Sequence, residues 1–265
     1  MAKTSILLSH ERSGSHLVGE YIGSLENFRM VDEVCNPGAV RPGKHPESFH
    51  RFRYDYILKD ESYLLDPSRQ RHVDFCGGFF DHLRRLKAPN DIAIDIKYGH
   101  VQNFEWWWCP VLERPFLLTL AQEIDIGIVH LYRENVVEAT VSSLIADKRK
   151  VWHSWEAGAD RPPERYNLPV PAIVYRAKLL ERQTALYKDW SARNRKLSLT
   201  YEEVSAGLED GGEAQSRLNA FLGSKPKRAF KPKHRKLTPP LREVVENYDE
   251  LKRACDAEGL SRFVP

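Results

Sequence analysis

Four short, nearly unbroken apolar runs, set far apart along the chain, constrain its fold more than any other feature. Thr4–Ser9, Ile92–Tyr98 (I-A-I-D-I-K-Y), Ile126–Arg133 (I-G-I-V-H-L-Y-R) and Leu197–Val204 (L-S-L-T-Y-E-E-V) read as strands. Helical signals fill the intervals. Leu17, Val18, Tyr21, Ile22 and Leu25 recur one turn apart. Asn135-x-x-Glu138 reads as a capping box that opens a helix through about Asp147. Pro171–Arg193 is long and amphipathic, Gly212–Leu222 ends at Gly223, and Pro239–Asp256 carries Pro in its first turn. Apolar strands alternating with helices predict an α/β fold with a central, mainly parallel sheet flanked by helices. Ligands of such sheets bind at the carboxyl ends of the strands, so the chemistry is expected just after Ser9, Tyr98, Tyr132 and Thr200.

The 265 residues are read as a single domain. Asn36–Arg71 is polar, rich in Pro, His and Arg, and reads as an excursion over the site. A second polar stretch, about 225–238, holds the run K-P-K-R-A-F-K-P-K-H-R-K and reads as a basic closing loop or a solvated surface loop. Lys plus Arg number 40 against 37 Asp plus Glu, a formal charge of +3, which disfavours a whole-surface polyanion or nucleic-acid binder and leaves room for a local basic patch. No apolar run is long enough for a membrane span or a signal peptide. The four cysteines show neither C-x-x-C nor metal-like spacing with His, so free thiols in the cytoplasm and no metal are expected.

The most informative segment is S-I-L-L-S-H-E-R-S-G-S-H-L-V-G-E, Ser5–Glu20: a strand, the turn Arg12-Ser13-Gly14-Ser15, then a helix from near His16. A Gly in that turn lets backbone approach an anion, and the helix start adds free N–H groups and partial positive charge. Ser13 and Ser15 add hydroxyls and Arg12 a fixed cation; the competing reading makes the serines helix caps and Arg12 a surface charge. Gly14 and Gly19 have Walker A spacing, but Glu20-Tyr21 stand where Lys-Ser/Thr belong, and no G-x-G-x-x-G occurs.

This turn resembles the 5′-phosphosulfate loop of the sulfotransferase superfamily. His130–Trp152 is similar to that family's 3′-phosphate motif, in which a strand-end Arg and a Ser on the next helix hold the 3′-phosphate of 3′-phosphoadenosine 5′-phosphosulfate (PAPS). Lys236–Leu251 resembles the closing segment of bacterial carbohydrate sulfotransferases of the nodulation and trehalose type. The resemblance implies a P-loop-like sulfotransferase fold and transfer of a sulfuryl group from PAPS to an acceptor hydroxyl of a glycan, glycolipid or small metabolite, by in-line displacement, leaving 3′,5′-adenosine bisphosphate.

By that resemblance Arg12, Ser13, Gly14, Ser15 and His16 hold the 5′-phosphosulfate, although Glu11 and His16 depart from the usual Pro and Thr/Ser. Arg133 and Ser142 hold the 3′-phosphate; Ser143 points about 100° away from its neighbour. Tyr201, in a Y-E segment, lies near the adenine or in the core, and Arg235 or Lys236 closes the site. Glu33, in a segment like E-x-x-N-P, is the general base, with Asp32 its rival and His16, His45, His50 and His100 behind them. Lys97 either offsets charge on the transferring group together with Arg12, or snorkels at a sheet edge. Trp106-Trp107-Trp108 walls an acceptor pocket or packs in the core. A P-loop-like kinase or NTPase and a non-enzymatic polyanion binder are the competing functions. The acceptor's identity and any homo-oligomer stay open.

Overall fold

The computed structural model describes residues 3–36, 46–65, 68–106, 114–151, 164–208, 211–232 and 239–264. Five parallel strands, β1 (Thr4–Ser9), β2 (Phe28–Val31), β3 (Asp91–Lys97), β4 (Gly127–Tyr132) and β5 (Lys196–Thr200), lie in the order β2-β3-β1-β4-β5. The helices are α1 (Ser15–Ser24), α2 (Phe49–Lys59), α3 (Arg69–Lys87), α4 (Phe116–Glu123), α5 (Val136–Arg149), α6 (Val170–Trp190), α7 (Tyr201–Gly207), α8 (Glu213–Leu222), α9 (Leu241–Val244) and α10 (Tyr248–Ala257). This is the α/β architecture expected from the alternation of apolar runs and helices.

Strand alternation feeds two cores. Ile6, Leu8, Ile92, Ile94 and Ile96 pack against Phe75, Phe79 and Phe80 of α3. Leu7, Ala93, Val129, Leu131 and Leu199 face Val18 and Ile22 of α1 and Leu218 of α8. A third cluster joins α5, α6 and α10 beyond the sheet. The register aligns Ser9 with both Lys97 and Leu131, so the loops after β1, β3 and β4 leave the sheet at one level. The chain leaves β1 for the β2 edge and β4 for the β5 edge, which opens a crevice between them, the switch point where ligands of such sheets bind.

Several expectations need correction. The segment 36–71 contains α2, whose Phe49 is fully buried against Phe75, Phe79 and Phe104. Aromatic residues interleaved with Arg and His conceal its apolar mass. The strand read as Leu197–Val204 stops at Thr200, because Thr200 and Glu203 form a reciprocal capping box that starts α7. The helix read as Pro239–Asp256 breaks into α9 and α10, because Val245 bridges Tyr166 and Asn247 exchanges two hydrogen bonds with the backbone of Leu168. Lys97 lies on β3, inside the sheet, with 6% of its surface exposed, so it does not snorkel at an edge.

Candidate active site at the carboxyl edge of the sheet

The turn after β1 passes twice through the left-handed region, at Arg12 (φ 61°) and Gly14 (φ 85°). For Arg12 that conformation costs about 1 kcal/mol, a strain the surroundings must hold. Gly14 is required on two counts. Its φ disfavours any side chain, and a Cβ there would lie 2.7 Å from Cδ2 of Tyr201. The serines are not helix caps. Ser13 is fully buried and donates to the His10 carbonyl (2.7 Å), and the cap position belongs to Gly14, which offers no side chain. Ser15 accepts from Lys97 Nζ at 2.5 Å.

Lys97 is committed on all sides. Its ammonium reaches both oxygens of Asp95 (2.9 and 2.6 Å), Ser15 and, at 3.3 Å, Ser9. An ammonium has three protons, and these contacts take them all. Lys97 therefore ties β1 and β3 to the start of α1 and positions Ser15.

Arg133, the first residue after β4, is 5% exposed. Its guanidinium lies 4.6 Å from the Tyr201 ring centroid and pairs with Glu138. That pairing takes the Glu138 carboxylate; the capping box anticipated for α5 is half present, with Asn135 Oδ1 accepting from the Glu138 N–H at 2.9 Å. The Arg133 Nε is buried with no partner, a donor whose isolation costs roughly 1–3 kcal/mol unless an acceptor arrives. Ser142, on α5, accepts from Arg12 Nε at 3.1 Å. Arg12, Ser13, Gly14, Ser15, Arg133, Ser142, Tyr201 and Lys97 thus come from four strand ends to one place. His16 Nε2 lies 3.9 Å from a Glu33 oxygen.

Two contributors were not anticipated. His10 Nε2 accepts the Arg133 N–H at 2.9 Å, and its Nδ1 donates to the Glu11 carbonyl at 2.6 Å. These bonds fix a neutral tautomer, and burial pushes the pKa down to about 4. Glu202 accepts from the backbone N–H groups of Glu134 (3.1 Å) and Asn135 (3.3 Å), holding the loop that carries Arg133. A buried His at a strand end and the Y-E pair were visible signals, but their partners are far away in sequence.

Beside this cluster lies a cleft of about 280 Å³ between the β1 loop, the residues after β3, α5 and α6. Glu11, His100, Ser143, Arg176, Leu179 and Gln183 are on its walls. The α5 pair is divided as expected from helix geometry: Ser142 meets Arg12 while Ser143 faces the cleft. His100 Nδ1 is buried without a partner, and burial, then Lys97, hold its pKa below the ordinary value against the pull of Glu33. Burial raises the Glu33 carboxyl, but the Asn36 amide at 2.8 Å, Lys97, His16 and His100 outweigh it, and the net direction is down. Asp32 moves up, through burial first and then Asp95 and Glu33. Trp106 is half-buried; Trp107, Trp108, His45, Arg235 and Lys236 lie outside the described residues. His50 is engaged with the Cys35 carbonyl at 3.1 Å. Among the described residues no cluster of three or more His, Cys, Asp or Glu forms a metal site, and no helix is long and apolar enough to cross a membrane.

No family model matches the chain. A curated protein of Rhodobacter capsulatus described as the probable rubredoxin HupJ is 30% identical over 121 residues, 44% of this chain and 42% of that protein. The chain thus matches less than half the length of that relative. A crystal structure of a sulfotransferase from Alicyclobacillus acidocaldarius is similar over 100% of this chain and 96% of its own, with 15% identity and a TM-score of 0.43.

Proposed function

We propose that the chain transfers a sulfuryl group from PAPS to an acceptor hydroxyl. The supporting observation is the convergence at one strand edge of the Arg12–Ser15 turn, Ser142, and a buried Arg133 with a donor left unpartnered. The residues suit a ligand with two separate anionic groups. The α1 N-terminus, Ser15, Arg12 and the backbone of Ser13 form one anion-binding end, and Arg133 with Ser142 forms the other. Tyr201, packed on Gly14 and under Arg133, offers a ring between them.

When bound, PAPS supplies an activated sulfur whose bond to the bridging phosphate oxygen breaks as the acceptor oxygen bonds to it. Arg12 neutralises charge on the departing bisphosphate, and Lys97 holds Ser15 in place. The proton of the acceptor hydroxyl passes to a base. Glu33 is that base on the sequence resemblance. His100 is the second reading, favoured by its place on the cleft wall and its unpartnered Nδ1. A base is most effective with a pKa near the working pH, which Glu33's downward shift opposes. The closing contact from Arg235 or Lys236 belongs to the proposal too. Residues 225–230 run along α1 toward its N-terminus, with Lys225 at Glu26, Lys227 at Ser24 and Phe230 on Tyr21.

The test is release of 3′,5′-adenosine bisphosphate from PAPS, without added metal, against a panel of hydroxyl acceptors. Acceptor-dependent release that falls at least ~100-fold in either Glu33→Gln or His100→Asn fits general-base catalysis, typically worth about 10²–10⁴-fold, and names the base. Mg²⁺-dependent formation of ADP from ATP would instead support the kinase or NTPase reading.

A further inference from the structure

The cleft beside the donor cluster has one wall made by a single face of α6. Arg176, Leu179, Leu180 and Gln183 are spaced i, i+3, i+4 and i+7, so they form one stripe, about 10 Å long at 1.5 Å per residue. The stripe has a cation at one end, an amide at the other and two leucines between. Leu179 is 49% exposed, on a helix that also exposes Tyr175 and Leu186 and buries its other face in the α5–α6–α10 cluster.

Of the polar groups around this cleft, Lys97, His10, Tyr98 and Thr140 are engaged within the protein. The others are not: among the described residues, the side chains of Glu11, Ser143, Arg176 and Gln183 make no hydrogen bond or ion pair. Arg84, Arg114 and Arg217, by contrast, are engaged with Asp81, Asn194 and Glu203. At the inner end His100 Nδ1 is buried and alone. Glu11 and Arg176 are exposed and Ser143 and Gln183 half-buried, so water reaches them; what singles the cleft out is that they converge on one concave site with the buried, unpartnered His100 Nδ1.

We infer that this cleft binds the acceptor, and that the acceptor is a small hydroxylated carboxylate with an apolar ring or chain beside it, as in an acidic glycoside. The identification as an acceptor site rests on the sulfuryl-transfer reading; the ligand chemistry rests on the cleft alone. Arg176 takes the carboxylate, for which its planar fork is matched. Glu11, on the loop wall, accepts hydroxyl protons, while Ser143 and Gln183 both give and accept them. Leu179 and Leu180 cover the apolar part. At about 280 Å³ the cleft is near the small end of ligand sites, roughly 300–1,000 Å³, which suits a small molecule or a chain terminus.

The experiment is ligand-observed NMR titration of the full chain with three probes: 4-nitrophenyl β-D-glucuronide, the matched neutral 4-nitrophenyl β-D-glucoside, and free glucuronic acid. Each is run with and without 3′,5′-adenosine bisphosphate. The glucuronide should bind at least ~10-fold more tightly than the glucoside. Arg176→Ala should erase that difference, Arg176→Lys should restore part of it, and Leu179→Ser should weaken both aryl glycosides but not the free acid. Equal binding of the two glycosides, no binding of either, or a preference that survives Arg176→Ala, overturns the inference. Thermal unfolding of each variant checks the fold. Because binding is read without turnover, a failure of sulfuryl transfer shows separately, as loss of bisphosphate binding with the acid preference intact.

Discussion

His10 has both ring nitrogens engaged by main-chain groups, one of them 123 residues away at Arg133. It joins the turn after β1 to the residue after β4, and the two anion-binding ends are held at a fixed separation through it. His10→Phe removes both bonds. It should weaken bisphosphate binding about 10-fold (~1.4 kcal/mol), whereas His10→Gln, which can donate and accept, should retain most of it; calorimetry on both variants decides. Gly14→Ala meets both a positive φ and the Tyr201 ring, and should cost about 1–3 kcal/mol in urea unfolding. An unchanged midpoint would show that the turn relaxes freely. At this scale, the turn Arg12–Ser15 was legible because it follows a strand end, while Arg133 and Ser142 were singled out through the family resemblance; their ligand roles belong to the proposal. His10, Asp95 and Glu202 were not legible, because each acquires its meaning from a partner that only folding brings near.

Helix α7 works as a bracket. Its capping box sets Tyr201 against Gly14 and Arg133, and aims Glu202 at the backbone of the loop leading to α5. Glu202→Ala frees two N–H groups and should lower stability by about 1–3 kcal/mol. It should also loosen Arg133, so the preference for 3′,5′-adenosine bisphosphate over 5′-AMP should shrink; a full preference in this variant would remove Glu202 from the site. The long apolar strands β1, β3 and β4 were readable as elements, but β2 was not. It has four residues at the sheet edge, F-R-M-V, with Arg29 exposed between buried Phe28 and Met30 half-buried. The α3 face is a clean helical stripe, Phe75, Cys76, Phe79, Phe80 and Leu83; the signal was present, within a span dominated by charge. The break between α9 and α10 has no local cause, since it depends on pairing with Tyr166 and Leu168.

Across the whole molecule, buried histidines set the response to acid. Burial holds His10 at about 4 and His130 at about 3, both below the ordinary 6.5. Between pH 6.5 and those values the unfolded chain binds protons that the folded chain refuses, so stability falls as pH falls. At pH 5 each should have cost about 2 kcal/mol relative to neutral pH. Urea midpoints should therefore drop steadily from pH 7 to 5, and less steeply in His10→Gln. A flat profile would mean that these rings reach water. The central claim concerns the donor cluster as a unit, two anion-binding ends joined by His10, Tyr201 and Glu202. Calorimetric titration of 3′,5′-adenosine bisphosphate, with 5′-AMP as control, into the wild type and Arg133→Ala without metal tests it most directly. The account predicts micromolar binding, about −8 kcal/mol, that needs both the 3′-phosphate and Arg133. Equal binding of 5′-AMP, or binding indifferent to Arg133, would contradict it.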